Sequence, residues 1–217
     1  MSDDPLTESL SPKALLNAVH HRVVHNRRVR ILSRHLAQII PEGGSVLDVG
    51  CGDGLISRAL MDQRPDLVIE GVDVMLRPTT HIPATKFDGS VLPFDDDSFD
   101  YITIVDVLHH TIDPVIMLAE ACRVARKGVV IKDHLRQGFG AGTTLRVMDW
   151  VGNRGHDVVL PFNYLTRAQW DAAFLRARLD VVTWKEKLRL YPPPARYLFD
   201  RRLHYVALLA PNAERRD

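Results

Sequence analysis

The chain has 217 residues, of which 46% are hydrophobic and 25% are charged, and its formal net charge is +1. This length suits one α/β domain, and the near-neutral charge gives no global reason to expect a nucleic acid or an anionic membrane surface as a partner. The first ten residues lack the basic start and apolar run of a signal peptide, and no stretch is long and apolar enough to span a bilayer. We therefore expect a soluble, cytoplasmic protein in which Cys51 and Cys122 are free thiols.

The predicted elements begin with a loose tail over residues 1–11, followed by N-terminal helices over residues 12–40 that are broken once. Apolar runs and helical spacing then alternate along the chain. The predicted strands are residues 45–49, 67–74, 85–87, 101–107, 129–132, 181–190 and 204–209. The predicted helices are residues 55–63, 114–125, 145–151 and 170–179, the second starting after an Asp113 cap and the last after a Thr166–Gln169 capping box. This alternation predicts a parallel sheet with helices on both faces.

The strongest motif is the stretch 46–54, VLDVGCGDG, which joins a predicted buried strand to a helix. Gly50 and Gly52 let the backbone approach a ligand without a Cβ atom in the way, and the helix start beyond them suits a carboxylate. Asp73 ends the second strand, where an acid can accept hydrogen bonds from ribose hydroxyls. A second acid, Asp88, follows the third strand and can accept a hydrogen bond from an adenine amino group.

A dinucleotide-binding fold is the natural alternative, and the glycine spacing argues against it. The spacing here is G-x-G-x-G, whereas the dinucleotide fingerprint is G-x-G-x-x-G. Asp48, just before the turn, would oppose a pyrophosphate, but it can order the loop and favour a ligand that carries an ammonium group.

Five segments together resemble the successive motifs of class I S-adenosylmethionine-dependent methyltransferases, and the small-molecule, type 11 group in particular. They are residues 46–54, 71–73, 88–94, 98–100 and 105–110. The resemblance implies a doubly wound, Rossmann-like α/β fold whose seven-stranded sheet has the order 3-2-1-4-5-7-6, with the last strand antiparallel. It also implies S-adenosyl-L-methionine as the cofactor and S-adenosyl-L-homocysteine as its product. The segment 74–87 departs from the family pattern, because it is too short for a helix followed by a strand.

By the same resemblance, the cofactor-binding residues lie in the glycine-rich turn and after the second, third and fourth strands. The set is Asp48, Gly50, Cys51, Gly52, Asp73, Val74, Met75, Asp88, Gly89, Ser90, Val105 and Asp106. Within it, Gly50 and Gly52 would line the methionine moiety, and Asp73 would hold the ribose. Met75 would lie against the adenine face, and the Val105 carbonyl would reach the methionine ammonium group.

Four polar residues follow two strands that should be neighbours in this sheet. His109 and His110 come after strand four, and Asp133 and His134 come after strand five. Ligands of such folds bind beyond the carboxyl ends of the strands, and histidine is the commonest base for a hydroxyl acceptor. We predict that the catalytic groups are among these four residues. The alternative for each is a structural role, as a helix cap or a hydrogen-bonded core residue.

The segment 134–165 is the predicted substrate lid, because binding sites favour long irregular segments on a rigid scaffold. The predicted substrate-binding residues are Asp149, Trp150, Asn153, His156 and Tyr164. Trp150 could equally be a core residue of its short helix. Asp106 and Asp133, with Asn153 or Asp149, resemble the magnesium ligands of catechol-type methyltransferases, but no spacing is diagnostic and we predict no metal.

The chain is thus predicted to be a single methyltransferase domain, residues 1–217, with its cofactor-binding core at 45–132 and a final helix and two strands at 166–210. We expect it to methylate a small molecule, with a hydroxyl oxygen as the acceptor atom, and we expect no membrane or nucleic acid partner. The basic run 20–30 is interpreted as a solvated helix face. One alternative is an RNA or protein methyltransferase that uses this run. A second is a non-catalytic cofactor-binding or interaction protein.

Overall fold

The computed structural model describes residues 12–152 and 162–212, and side chains within residues 26–150 and 162–212. Its seven strands are β1 Gly44–Val49, β2 Leu67–Asp73, β3 Ala84–Lys86, β4 Phe99–Val105, β5 Ala125–His134, β6 Leu179–Glu186 and β7 His204–Pro211. They form one sheet in the order β3-β2-β1-β4-β5-β7-β6. The first five strands pair in parallel, and β7 pairs antiparallel with both β5 and β6. The predicted sheet order and its antiparallel last strand are confirmed.

Six α-helices connect and cover the strands within the described part of the chain. They are α1 Pro12–Ile39, α2 Leu55–Gln63, α3 Pro114–Val124, α4 Ala141–Gly152, α5 Arg167–Arg176 and α6 Arg196–Phe199, with a 3₁₀ turn at Leu108–His110. The expectation of a broken N-terminal helix is wrong, because α1 is continuous and its sequence holds no glycine, and no proline after its first residue. The tail predicted for residues 1–11 lies outside the described residues.

Both faces of the sheet are covered, which explains why its central strands are almost continuously apolar. Along β1, Leu47 and Val49 pack into one buried cluster and Val46 into another, as the two-residue period of a strand requires. Residues of α3 and α5 complete the first cluster, and residues of α1 and α2 complete the second. None of the helices in the described part of the chain combines the length and apolar content that crossing a bilayer needs.

The strand β5 extends further at both ends than the predicted residues 129–132, because polar side chains continue its ladder. Lys132, Asp133 and His134 all pair with β7, and all three are buried. His134 lies opposite His204 in this antiparallel register. Asp133 and His134 are therefore strand residues rather than loop residues, and the charged groups belong to the interior of the sheet.

Two helix starts follow the predicted local chemistry. The Asp113 side chain accepts a hydrogen bond from the Val115 amide at the start of α3. Pro114, between these two residues, occupies the first helical position. Thr166 and Gln169 form a reciprocal capping box at the start of α5. Both predictions are confirmed.

Replacing Thr166 by alanine should lower the free energy of unfolding by about 1 kcal/mol, because an amide at the start of α5 loses its hydroxyl acceptor. Urea denaturation of both proteins measures this difference. The matched control is Thr143→Ala, at an exposed position inside α4, where we expect a change of about 0.5 kcal/mol or less. Equal effects of the two changes would contradict a stabilising capping box.

Candidate active site

The glycine-rich turn between β1 and α2 depends on left-handed backbone at Gly50 and Gly52, whose φ angles are +71° and +59°. A Cβ atom on Gly50 would lie 2.4 Å from a methyl group of Val107, whereas one on Gly52 would meet no atom within 4 Å. Gly50 is thus required by packing, and Gly52 opens onto free space. The Gly52 amide donates to Oδ2 of Asp73 at 2.8 Å, which ties the turn to the end of β2.

Asp48 and Cys51 support this turn from inside the protein. The Asp48 carboxylate is buried and accepts hydrogen bonds from the hydroxyls of Ser57 and Thr103, at 2.6 Å and 3.0 Å. Burial raises the pKa of Asp48 to about 6 and the pKa of the Cys51 thiol to about 12. Neither side chain lines the cavity described next, so both act through the shape of the turn.

A cavity of about 560 Å³ lies over the ends of β1, β2 and β4. The predicted cofactor residues on its wall are Gly50, Gly52, Asp73, Val74, Met75, Gly89, Ser90 and Asp106. Asp88 stands behind the wall, where its Oδ1 accepts from the amides of Ser90 and Val91 at 2.7 Å and 3.0 Å. The wall combines the carboxylate of Asp73 and the uncovered face of Gly52 with apolar side chains such as Met75, Phe87 and Met117. This combination suits a nucleoside that carries an amino-acid tail. The residues present therefore fit S-adenosylmethionine.

A second, smaller cavity of about 250 Å³ adjoins the first. Its wall is mostly polar and comes from α1, the ends of β4 and β5, α4, and the chain on both sides of α6. The lining residues are Arg28, Val105, Asp106, His109, His110, Lys132, His134, Met148, Asp149, Leu190, Tyr191 and His204. Asp106 and His110 line both cavities. We call the larger one the cofactor cavity and the smaller one the acceptor cavity.

His109 and Asp133 form a buried hydrogen-bonded pair at the acceptor cavity. Nδ1 of His109 donates to Oδ1 of Asp133 at 2.7 Å, and its Nε2 lies 3.5 Å from Oδ2 of Asp149. Burial lowers the pKa of His109, but the charge and hydrogen bond of Asp133 outweigh burial and raise that pKa above its ordinary value. Asp133 does not line the cavity. It orients the imidazole from beneath, while Nε2 of His109 is the nitrogen left for a ligand.

The carboxylate of Asp106 is held between two cations. Its Oδ1 accepts from the Lys132 ammonium, and its Oδ2 accepts from the Arg28 guanidinium. Burial would raise the pKa of Asp106, but Lys132 and Arg28 keep it well below the usual range. Asp106 has a φ angle of +57°, and its amide donates to the Lys132 carbonyl at 2.8 Å. This residue turns the chain out of β4 into the 3₁₀ segment that carries both histidines.

The remaining histidines of the acceptor cavity are in surroundings that disfavour a proton. Burial, followed by the charge of His109, lowers the pKa of His110 to about 4. Its buried Nδ1 has no hydrogen-bond partner among the residues that the structure describes. Burial also lowers the pKa of His134 and, with the nearby Lys132 charge, that of His204.

A metal ion is the other chemistry that such a cluster suggests. One ligand-type atom from each of Asp106, His109, Asp133 and His134 lies within 4.8 Å of the others. However, both oxygens of Asp106 already accept from cations, and both oxygens of Asp133 accept from N–H donors, including the Leu108 amide at 3.0 Å. Ligation would break these bonds, so the geometry favours a hydrogen-bonded ionic network.

The predicted substrate residues divide between the cavity wall and other places. Asp149 lines the acceptor cavity. Tyr164 is buried and donates its hydroxyl hydrogen bond to Asp149, so it supports the wall. Trp150 is 55% exposed on α4 and is not among the described residues that line the acceptor cavity, so its predicted contact with the acceptor stays a prediction. Asn153 and His156 lie outside the described residues.

Three basic residues of the acceptor cavity escaped the sequence analysis. Arg28 belongs to the run that we interpreted as a solvated face, and 44% of its side chain is exposed, but its guanidinium also reaches the carboxylate of Asp106. Arg27 donates to the carbonyls of Leu190 and Arg189, at 3.1 Å and 3.2 Å. The other two missed residues are Lys132 and His204. A lysine inside an otherwise apolar strand was the available signal for Lys132.

Comparisons with known proteins agree with this geometry. Residues 20–183 match the methyltransferase domain family. The chain is 30% identical over 155 residues to the demethylmenaquinone methyltransferase of Renibacterium salmoninarum, covering 65% of each chain. It is also 30% identical over 151 residues to the 2-methyl-6-phytyl-1,4-hydroquinone methyltransferase of Synechocystis, covering 65% of this chain and 41% of that protein. The chain thus spans from about two fifths to just under two thirds of the length of these relatives.

Solved structures share the fold. The structure of an S-adenosylmethionine-dependent methyltransferase from Mesorhizobium loti superposes with a TM-score of 0.59 at 17% sequence identity. The superposition covers 82% of this chain and 96% of that one. The predicted doubly wound, Rossmann-like fold is confirmed.

Asp73→Ala should weaken binding of S-adenosylmethionine roughly tenfold or more. The change removes a carboxylate that holds the Gly52 amide and that is placed to accept hydrogen bonds from ribose hydroxyls. Titration calorimetry with the cofactor and its demethylated product measures the change. The control is Asp62→Ala, at an exposed site on α2, which should leave the affinity unchanged. Wild-type affinity in Asp73→Ala would place the nucleoside elsewhere.

Proposed function

This chain belongs to the methyltransferase domain family, and we propose that it is an S-adenosylmethionine-dependent methyltransferase that methylates a hydroxyl oxygen of a small-molecule acceptor. One observation carries the proposal: the cofactor cavity and the acceptor cavity meet at Asp106 and His110. A methyl donor in the first cavity and an acceptor in the second would therefore face each other across these two residues.

The size and polarity of the acceptor cavity support a small acceptor with polar groups. Its volume of about 250 Å³ lies below the range of roughly 300–1,000 Å³ that is usual for drug-sized ligands, so it suits a head group about the size of one ring. The relatives from Renibacterium salmoninarum and Synechocystis are named for a demethylmenaquinone and a hydroquinone. A hydroquinone is a ring with two hydroxyl groups, which is the kind of acceptor that these walls favour.

When bound, the cofactor would supply an electrophilic methyl group: an acceptor oxygen would attack the methyl carbon in line, and the thioether S-adenosyl-L-homocysteine would leave. The chain must hold the oxygen on that line and exclude water, and orientation of this kind can supply much of the rate. His109 takes the hydroxyl proton at Nε2, since its Nδ1 is already committed to Asp133. Asp133 keeps the imidazole in this tautomer and stabilises the imidazolium that forms.

His110 differs from His109 in its expected role in methyl transfer. Because its pKa is lowered to about 4, it is neutral near pH 7 and does not repel a sulfonium at the junction of the cavities. Its ring centroid lies 4.0 Å from that of His109. We assign it the positioning of the acceptor against the methyl group.

Two features favour this function over the alternative of an RNA or protein substrate. The acceptor cavity is small, and the described part of the basic run contributes Arg27 and Arg28 to internal contacts. We further propose that the protein works in a reducing compartment such as the cytoplasm, since Cys51 and Cys122 are both buried and are not joined in a disulfide.

His109→Ala should lower kcat roughly a hundredfold or more, because the proton acceptor is lost, while cofactor affinity stays at the wild-type value. Methyl transfer with radiolabelled cofactor and calorimetry measure the two quantities. The control is His81→Ala, whose side chain is exposed and lines neither cavity. Unchanged turnover in His109→Ala would reject its role as base, and cofactor binding without turnover on any acceptor in the wild type would favour a non-catalytic protein.

The pH profile of the same enzyme distinguishes a base from a structural histidine. The pKa of His109 is raised above its ordinary value of 6.5, so its neutral, proton-accepting form grows as pH rises through that raised value. We expect kcat to fall on the acid side of it. Asp133→Asn removes the charge that raises the pKa, so the acid limb should move to lower pH while the maximal rate drops. An acid limb that stays in place would contradict the pairing.

A screen of single-ring acceptors tests the acceptor atom. Catechols, hydroquinones and hydroxybenzoates should yield a methoxy product, identified by mass and by the proton NMR signal of the new methyl group. Ring C-methylation or N-methylation of an amine as the main product would overturn the proposed oxygen acceptor and leave the cofactor assignment intact.

A further inference from the structure

The chain carries an exposed apolar surface beside the acceptor cavity. We define the α4–α6 surface as the loop residue Phe139, the outward face of α4 and the chain around α6. Phe139 is 99% exposed and stands between Gly138 and Gly140, which both have positive φ angles. On α4 and α6, large apolar groups are also about half exposed, namely Val147, Trp150, Tyr197 and Leu198.

Three arginines of this surface, Arg146, Arg196 and Arg201, have no carboxylate partner among the described residues, whereas Arg202, after α6, pairs with Glu186. Arg146 lies over the ring of Phe162, and Arg196 donates to the Tyr197 hydroxyl. Arg201 donates to the Leu198 carbonyl and to the Thr144 hydroxyl, which also fixes the chain after α6 against α4. These arginines therefore keep their charge available to a partner.

The acidic residues of the same two segments are turned away from this surface. Residues 135–150 and 192–202 contain only Asp149 and Asp200 as acids. Asp149 is buried at the acceptor cavity, and Asp200 accepts from the amides of Leu190 and Tyr191. The α4–α6 surface thus combines apolar tips with uncompensated positive charge, although the whole chain is nearly neutral.

One helix joins this surface to the acceptor cavity. Met148 and Asp149 of α4 line the cavity, while Val147 and Trp150, their neighbours in sequence, are exposed. A partner bound to the outward face of α4 would therefore lie within one helix diameter, about 10 Å, of the acceptor cavity.

We propose that the α4–α6 surface binds the face of a lipid bilayer that contains anionic phospholipids. Aromatic and aliphatic tips enter the headgroup boundary, and arginines attract the anionic headgroups. The expectation of no membrane partner rested on the charge of the whole chain, whereas this surface concentrates charge and apolar area locally. The proposal does not depend on the acceptor, because it concerns binding to lipid alone.

Sedimentation with vesicles tests the proposal, with the full chain and no acceptor. Wild type should bind vesicles of phosphatidylglycerol and phosphatidylcholine, and should bind pure phosphatidylcholine more weakly. Phe139→Ser with Val147→Ser should reduce the bound-to-free ratio roughly tenfold or more, because two inserted apolar groups are lost. Arg146→Ala and Arg201→Ala should each reduce the bound-to-free ratio about fivefold, on the anionic vesicles only. Added salt should also reduce the bound-to-free ratio on these vesicles.

The matched control is Leu175→Ser, which removes an apolar side chain that is 70% exposed on α5 and should bind like wild type. All variants must retain cofactor binding, which shows that they are folded. Absence of wild-type binding to both vesicles would overturn the proposal. Full retention of vesicle binding by the double variant Phe139→Ser with Val147→Ser would also overturn it. Release of the protein from vesicles by RNA at equal phosphate concentration would overturn it too, because the arginines would then form a nucleic acid site. None of these outcomes bears on methyl transfer, which is measured separately.

Discussion

Asp106 is a nearly buried carboxylate between Lys132 of β5 and Arg28 of α1. A buried charge without partners costs several kcal/mol, so removal of either cation would strain the junction from which the 3₁₀ turn starts. The bonds join the N-terminal helix, the fourth strand and the fifth strand, which are far apart in the sequence. The position of the helix α1, the wall shared by both cavities and the direction of the following histidines all depend on this one carboxylate.

The same principle separates the chemistry of neighbouring histidines. His109 and His110 are adjacent in the chain, yet one has a raised pKa and the other a lowered one. Burial disfavours the proton on both rings, but only His109 has a carboxylate, that of Asp133, within hydrogen-bonding distance of a ring nitrogen. A proton acceptor and a neutral side chain at the junction can therefore be adjacent without competing for the same proton.

Local sequence patterns were sufficient for the alternation of strands and helices and for the glycine-rich turn, because both depend on short-range periodicity and on glycines in a fixed spacing. The order of the strands in the sheet came from the family resemblance. They were insufficient for Arg28, Lys132 and His204, whose places in the cavity depend on long-range register. His204 reaches the site only because β7 runs antiparallel to β5 and places it opposite His134. The direction of Trp150 was also beyond the sequence, since the helix α4 has apolar residues on two sides and only tertiary packing decides which of them is buried.

The two sides of the helix α4 differ in what they contact. Its inward stripe, which includes Leu145 and Asp149, is held by packing and by the Tyr164 hydroxyl, and it closes the acceptor cavity. Its outward stripe makes no such contribution to the core, yet it retains Val147, where a polar residue would serve solubility better. This outward apolar area and the arginine beside it, Arg146, are the features that support the proposed binding to an anionic bilayer face.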